Sequence, residues 1–82
     1  MKTEAVSQVT EIIAQALGLA PGSVQAEDTI DSFEAWDSLG HLSILTALEK
    51  TFGNQVAQVS GLAKATSVKA ILALLQEHRI IG

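Results

Sequence analysis

Residues 35–42 read AWDSLGHL and mark the point where a long acidic loop gives way to an amphipathic helix. Asp37 is a favoured type of helix-capping residue, and Leu39 begins an apolar repeat with helical spacing. The repeat ends before Gly53, so it predicts a helix over residues 38–52. Its buried stripe is expected to contain Leu39, Leu42, Leu45, Leu48 and Phe52, with Ile44 at the edge.

Two further helices are predicted on either side of this one. Apolar residues with helical spacing indicate a first helix over residues 3–17. A long connection over residues 19–36 follows this helix. The pattern over residues 55–65 is weak and allows one short helix or a single turn. A last helix begins at position 66 or 67 and ends near position 78. We therefore expect one all-α domain over residues 1–82, a small bundle of three main helices plus one short helix.

The composition and the charge distribution exclude several functions. No Lys or Arg lies between Lys2 and Lys50, whereas eight of the nine acidic residues lie in that stretch. This surface argues against nucleic-acid binding and favours a basic patch on a protein partner. The absence of cysteine excludes disulfides and a thiolate nucleophile. No apolar run approaches the ~20 residues that span a bilayer, and no leader is evident, so we expect a soluble cytoplasmic protein with no membrane contact.

Ser38 is the candidate functional residue. The first backbone N–H groups of a helix lack intrahelical partners, and the helix dipole places partial positive charge there. A phosphate ester on Ser38 would be stabilised in that position. The residues alone also allow a plainer interpretation, in which Asp37 caps the helix and Ser38 is an ordinary residue of its first turn.

Other kinds of site are less well supported by the sequence. Asp37, Ser38 and His41 suggest a hydrolase, but no second motif supplies an oxyanion hole or a substrate pocket. His41 is expected to be an exposed helix residue, and His41 with His78 lacks a third ligand for a metal. Trp36 is expected to anchor the loop against the bundle. We predict neither a catalytic residue nor a metal site.

The stretch Asp37-Ser38-Leu39, together with the chain length and the helix order, resembles an acyl carrier protein. Residues 48–53 at the end of the second helix and residues 66–68 at the start of the last extend the resemblance over the whole chain. The resemblance implies that Ser38 carries 4′-phosphopantetheine, transferred from coenzyme A by a separate magnesium-dependent phosphopantetheinyl transferase that recognises Asp37. Ser32 and Ser67 are weaker candidates, because Ser32 opens no apolar stripe and Ser67 follows no acid.

The chain also departs from the fatty-acid carriers that it resembles. Those carriers usually have acidic residues after the Ser-Leu pair, whereas here the outward positions are Gly40, Ser43 and Thr46. Peptidyl carriers usually have a Gly-Gly pair before the serine, which is absent. The resemblance thus favours a freestanding, monomeric carrier of a specialised polyketide or mixed polyketide–peptide pathway. Its expected partners are ligases, acyltransferases or ketosynthases that load and process the acyl group.

The surface that docks these partners is expected to include residues of the loop and of the second helix. These residues are Asp31, Glu34, Trp36, Leu39, Gly40, His41, Ser43, Thr46 and Glu49. A space between helices is expected to shelter the acyl chain if it is sheltered at all, with Leu39, Leu42, Ile44 and Leu62 nearby. The alternative function is an unmodified, carrier-like helical domain that only binds other proteins.

Overall fold

The computed structural model describes residues 3–81, in which helices account for the regular structure. The three α-helices are α1 (Thr3–Leu17), α2 (Ser38–Phe52) and α3 (Val68–Glu77). Three short 3₁₀ helices are η1 (Ile30–Ser32), η2 (Asn54–Gln58) and η3 (Leu62–Lys64). The predicted all-α fold and the bounds of the first two helices are confirmed. The segment predicted to hold one short helix or turn instead forms η2 and η3, and the long loop contains η1.

Local signals explain where the helices begin and end. Gly18 has a φ of +72°, which glycine adopts without steric cost, and this turns the chain at the end of α1. The Ser67 hydroxyl accepts a hydrogen bond from the Ala70 N–H at 3.1 Å and caps α3. Within residues 3–81, each helix is too short or too polar to cross a bilayer.

The core lies between the three α-helices and is made almost entirely of aliphatic side chains. Its fully buried members come from every helix: Val9, Ile13, Ile44, Leu48, Val68, Ile71 and Leu75. Trp36 joins them from the end of the long loop, with only 2% of its surface exposed. The prediction that Trp36 anchors the loop against the bundle is therefore confirmed.

The long loop is joined to the start of α3 by backbone hydrogen bonds. Thr29 and Ser67 face each other in an isolated antiparallel bridge. The Ile30 N–H donates to the Thr66 carbonyl at 2.8 Å, and the Val68 N–H donates to the Asp28 carbonyl at 3.0 Å. These bonds satisfy backbone groups of the loop and fix η1 beside the segment that enters α3.

The predicted buried stripe of α2 is confirmed at Leu48, and Leu45 and Phe52 pack half-buried against the core, but the stripe is wrong at the start of the helix. The buried residues are His41, Ile44 and Leu48, whereas Leu39 is 75% exposed and Leu42 is 59% exposed. Near the start of the helix the two orientations differ by one residue, which is about 100° around the helix axis: the predicted one buries Leu42 and Leu45, and the observed one buries His41 and Ile44. The helix takes the second orientation because Trp36 occupies the core immediately before it and forms a hydrogen bond with His41.

Candidate functional site

Ser38 is the first residue of α2 and is exposed to solvent. Asp37 holds the capping position before it, because its Oδ1 accepts the Gly40 N–H at 2.8 Å and its carbonyl accepts the His41 N–H at 2.8 Å. The Ser38 hydroxyl is thus not needed as the cap. The N–H groups of Ser38 and Leu39 precede the first intrahelical hydrogen bond, so an anionic group on Ser38 would lie near donors and the positive end of the helix dipole.

His41 connects the end of the long loop to η3. The Trp36 indole Nε1–H donates to His41 Nδ1 at 3.0 Å, and the two ring planes differ by only 11°. Because the indole nitrogen can only donate, Nδ1 must be the acceptor and the ring hydrogen must be on Nε2. Nε2 therefore donates to the Leu62 carbonyl, which lies 2.8 Å away. We call this chain of hydrogen bonds the Trp36–His41–Leu62 bridge.

The bridge overturns the prediction that His41 is an exposed helix residue. The side chain is only 9% exposed, and both of its ring nitrogens already have hydrogen-bond partners. A general base for Ser38 or a metal ligand needs a ring nitrogen with a free lone pair. His41 supplies neither function in this arrangement and instead has a structural role.

Gly40 allows the start of α2 to pack closely against its neighbours. A Cβ atom at this position would collide with the carbonyl oxygen of Ala35 and would lie 2.9 Å from Leu17 Cδ2. Real side chains do not tolerate such contacts without a shift of the backbone. The loop and α1 approach the first turn of α2 so closely that only a residue without a side chain fits at position 40. Gly40 therefore has a packing role, in addition to its predicted place on the docking surface.

The outward side of α2 is apolar at its start and neutral beyond. Leu39 and Leu42 project there, and the Ser43 and Thr46 hydroxyls donate to their carbonyls at 3.1 and 3.0 Å. These four residues define the outer face of α2. Since the two hydroxyls are bonded to the helix itself, the face offers mainly the leucine side chains to a partner.

The remaining residues predicted to dock partners divide into two groups. Asp31 and Glu34 in the loop and Glu49 in α2 are exposed, so a partner can reach them. Trp36 and His41 are buried in the bridge. Little of either side chain is available to a partner, so their place on the docking surface stays a prediction that the burial of both rings argues against.

Two clefts lie on either side of the bridge. The apolar groove has a volume of about 240 Å³ and lies between α2 and the 3₁₀ helices; its lining includes Leu42, Leu45, Val56, Val59 and Leu62. Of the four residues predicted near a sheltered chain, Leu42 and Leu62 line this groove. Leu39 and Ile44 are not among its lining residues, because Ile44 is buried in the core and Leu39 projects into solvent.

The second cleft, which we call the Ser38 cleft, has a volume of about 220 Å³. It lies between the start of α2, Ile30 of η1 and residues 63–66. Residues 63–66 are not predictable as part of the site from the sequence, because their apolar pattern is weak and long-range hydrogen bonds bring this segment near Ser38.

Comparison with protein-family models gives a match over residues 7–75 to the family described as a phosphopantetheine attachment site. The matched span contains Ser38, all of α2 and both clefts. The chain belongs to this family. Comparison with curated proteins and with solved structures gave no significant match.

Members of this family are non-catalytic carriers of 4′-phosphopantetheine, which a separate transferase attaches. The predictions of a carrier protein, of this cofactor and of the absence of catalysis by the chain are thereby confirmed. The residues present fit the group, because Ser38 is exposed, does not serve as the helix cap and lines an open cleft. When attached, the group supplies a thiol that this cysteine-free chain lacks.

Proposed function

We propose that the chain is an acyl carrier in which the 4′-phosphopantetheine arm is attached to the Ser38 hydroxyl. Acyl intermediates are held as thioesters on the sulfur of the arm. The observation that carries the proposal is the position of Ser38, which is exposed at the first residue of α2 while Asp37 serves as the cap. On this proposal residues 1–82 form one carrier domain, which acts as a monomer in the cytoplasm, where coenzyme A is available.

The other two candidate serines support this assignment by contrast. The Ser32 hydroxyl accepts the Thr29 N–H at 2.9 Å within η1, and the Ser67 hydroxyl accepts the Ala70 N–H as the cap of α3. Modification of either oxygen would disturb a hydrogen bond that stabilises a turn or a helix end. Ser38 has no such capping role, so an ester there is compatible with the fold.

The proposed partners are a phosphopantetheinyl transferase and the enzymes that load and process the acyl group, such as ligases, acyltransferases or ketosynthases. They dock on the outer face of α2 and on the acidic loop with Asp31 and Glu34. Asp37 is the flanking residue that the transferase recognises. The neutral outer face supports a specialised polyketide or mixed polyketide–peptide pathway, because it lacks the acidic side chains expected of a fatty-acid carrier.

The apolar groove is the proposed shelter for a short acyl chain. Its lining residues Leu42, Leu45, Val56 and Leu62 offer aliphatic surface, which favours an acyl chain over water. Thr46 and Glu49 lie at the same groove and add polar atoms. The groove has a volume of about 240 Å³, and we propose a short chain as its occupant.

A mass measurement tests the proposed function directly. The protein is incubated with coenzyme A, magnesium and a broad-specificity phosphopantetheinyl transferase and is then weighed intact. We expect a gain equal to one phosphopantetheine in the wild type and in the control variant Ser32→Ala, and no gain in Ser38→Ala. A folded wild-type sample that gains no mass beside a known carrier that does would overturn the proposal and favour an unmodified interaction domain.

A further inference from the structure

The Ser38 cleft is lined by a cationic side chain as well as by the proposed attachment point. Asp37, Ser38 and His41 line it from α2, and Lys64 lines it from η3 together with Thr66 beyond the end of that helix. Lys64 is exposed, so its ammonium group is free to reorient on its flexible stem toward an anion. The proposed function assigns no role to this lysine or to this cleft.

The walls of the Ser38 cleft are held in place by hydrogen bonds to backbone carbonyls of residues 62–66. The Ile30 N–H donates to the Thr66 carbonyl at 2.8 Å, which joins η1 to the segment after η3. His41 Nε2 donates to the Leu62 carbonyl at 2.8 Å, which joins α2 to the start of η3. Because residues 62–66 are joined both to η1 and to α2, the cleft exists before any group enters it, and a ligand does not have to order it.

The charges near Ser38 favour a compensating cation. A phosphodiester on Ser38 adds a negative charge beside Asp37, whose carboxylate is held at the cap by the Gly40 N–H. The stretch from residue 3 to residue 49 contains no Lys or Arg that could offset the repulsion between these two anions. Lys64 is the cation that lines the same cleft.

We propose that the Ser38 cleft holds the base of the arm and that Lys64 contacts the phosphate of the phosphodiester by a charge-assisted hydrogen bond. This inference rests on the proposed function, because it requires the arm on Ser38. Lys64 is then a positioning residue. It directs the arm from Ser38 toward η3 and away from the outer face of α2, so Leu39 and Leu42 stay available to a partner enzyme while the arm is at rest.

Four versions of the protein test the contact: the wild type, Lys64→Gln, Lys64→Arg and the control Lys50→Gln. Lys50→Gln removes the same charge as Lys64→Gln, but Lys50 lies twelve residues after Ser38 on α2, about 18 Å along the helix. Each version is converted to the phosphopantetheine form, and intact mass verifies the conversion. Amide nitrogen–proton spectra before and after conversion then show which residues sense the arm, and the phosphorus resonance is followed as sodium chloride is added.

In the wild type, Lys64→Arg and Lys50→Gln, we expect the largest amide shifts outside the attachment turn at Ile30 and residues 64–66, which line the Ser38 cleft and not the apolar groove. The phosphorus resonance in these versions should move as salt screens the ion pair. In Lys64→Gln the shifts at residues 64–66 should fall to the level seen in the apolar groove, and the phosphorus resonance should become insensitive to salt.

The possible failures are distinguishable. If the wild type gains no mass, the proposed function fails and this inference fails with it. If all four versions gain mass but Lys64→Gln keeps the wild-type shifts and salt response, only the Lys64 contact is overturned. Shifts confined to the outer face of α2 or to the apolar groove would likewise contradict the assignment of the arm to the Ser38 cleft.

Discussion

The two sides of the first turns of α2 reverse the usual rule that polar side chains are exposed and apolar side chains are buried. On the inner side, a histidine is buried and donates and accepts hydrogen bonds in the Trp36–His41–Leu62 bridge. On the outer side, Leu39 and Leu42 are 75% and 59% exposed. The difference shows that a polar residue can be buried when every hydrogen-bonding atom has a partner, while the leucines beside it stay accessible from solvent.

The largest expected effect comes from removing His41. In His41→Ala the Trp36 N–H and the Leu62 carbonyl lose their partners inside the protein, and a cavity remains. We expect a loss of about 3–5 kcal/mol in the free energy of unfolding. Leu42→Ala, on the outer side one residue away, should cost less than about 1 kcal/mol because its side chain is mostly exposed. Urea unfolding of the unmodified protein measures both values.

His41→Gln provides a second measurement where His41→Ala is too unstable to fold. The glutamine amide has one oxygen acceptor and an N–H donor, so it can replace both hydrogen bonds of the neutral imidazole in part. Its stability should lie between those of the wild type and His41→Ala. Equal losses in His41→Ala and Leu42→Ala would show that the two sides of α2 do not differ in the way the structure indicates.

Gly40→Ala is expected to have the next largest effect. The added methyl group meets the Ala35 carbonyl oxygen, which is backbone and cannot rotate away, so the loop or the helix must shift. We expect a loss of about 1–3 kcal/mol, typical of overpacking. Ser43→Ala is the control, because Ser43 is exposed on the same helix. Thermal unfolding measures the change, and a Gly40→Ala variant as stable as Ser43→Ala would argue against the close approach.

The ends of the helices were predictable from the sequence, whereas the orientation of α2 was not. Gly18 and the cap residues Asp37 and Ser67 act on backbone groups within a few positions, so they identify the boundaries locally. Two stripes on α2 satisfy the same helical period, however, and the choice between them depends on where Trp36 lies in the core. The position of Trp36 is set by tertiary packing, and the apolar repeat of a single helix carries no information about tertiary packing.

The same distinction applies to the candidate site. Ser38 and Asp37 were found because their chemistry lies in three consecutive residues at a helix start. Lys64 was not found, because it reaches the Ser38 cleft only through η3 and the hydrogen bonds of Ile30 and His41 with that segment. A site residue that is far from Ser38 in the sequence and reaches it only through the fold has no local sequence pattern that would identify it.

The smallest expected effect concerns the acidic loop, which precedes α2 in the chain and differs in charge from its apolar outer face. If Asp31 and Glu34 steer a basic partner toward the leucines, Asp31→Asn with Glu34→Gln should slow association with the transferase by about tenfold or less at low salt. The dependence of the rate on salt should also flatten.

Glu4→Gln with Glu77→Gln removes the same charge from exposed positions on α1 and α3, and should leave the rate near that of the wild type. Stopped-flow measurements from low to high sodium chloride distinguish the two pairs. Equal slowing by both pairs would mean that the net charge of the protein, and not the position of the acidic loop, governs the association rate. If the association rate of the wild type does not depend on salt, electrostatic steering is contradicted, and docking would depend on Leu39 and Leu42 alone.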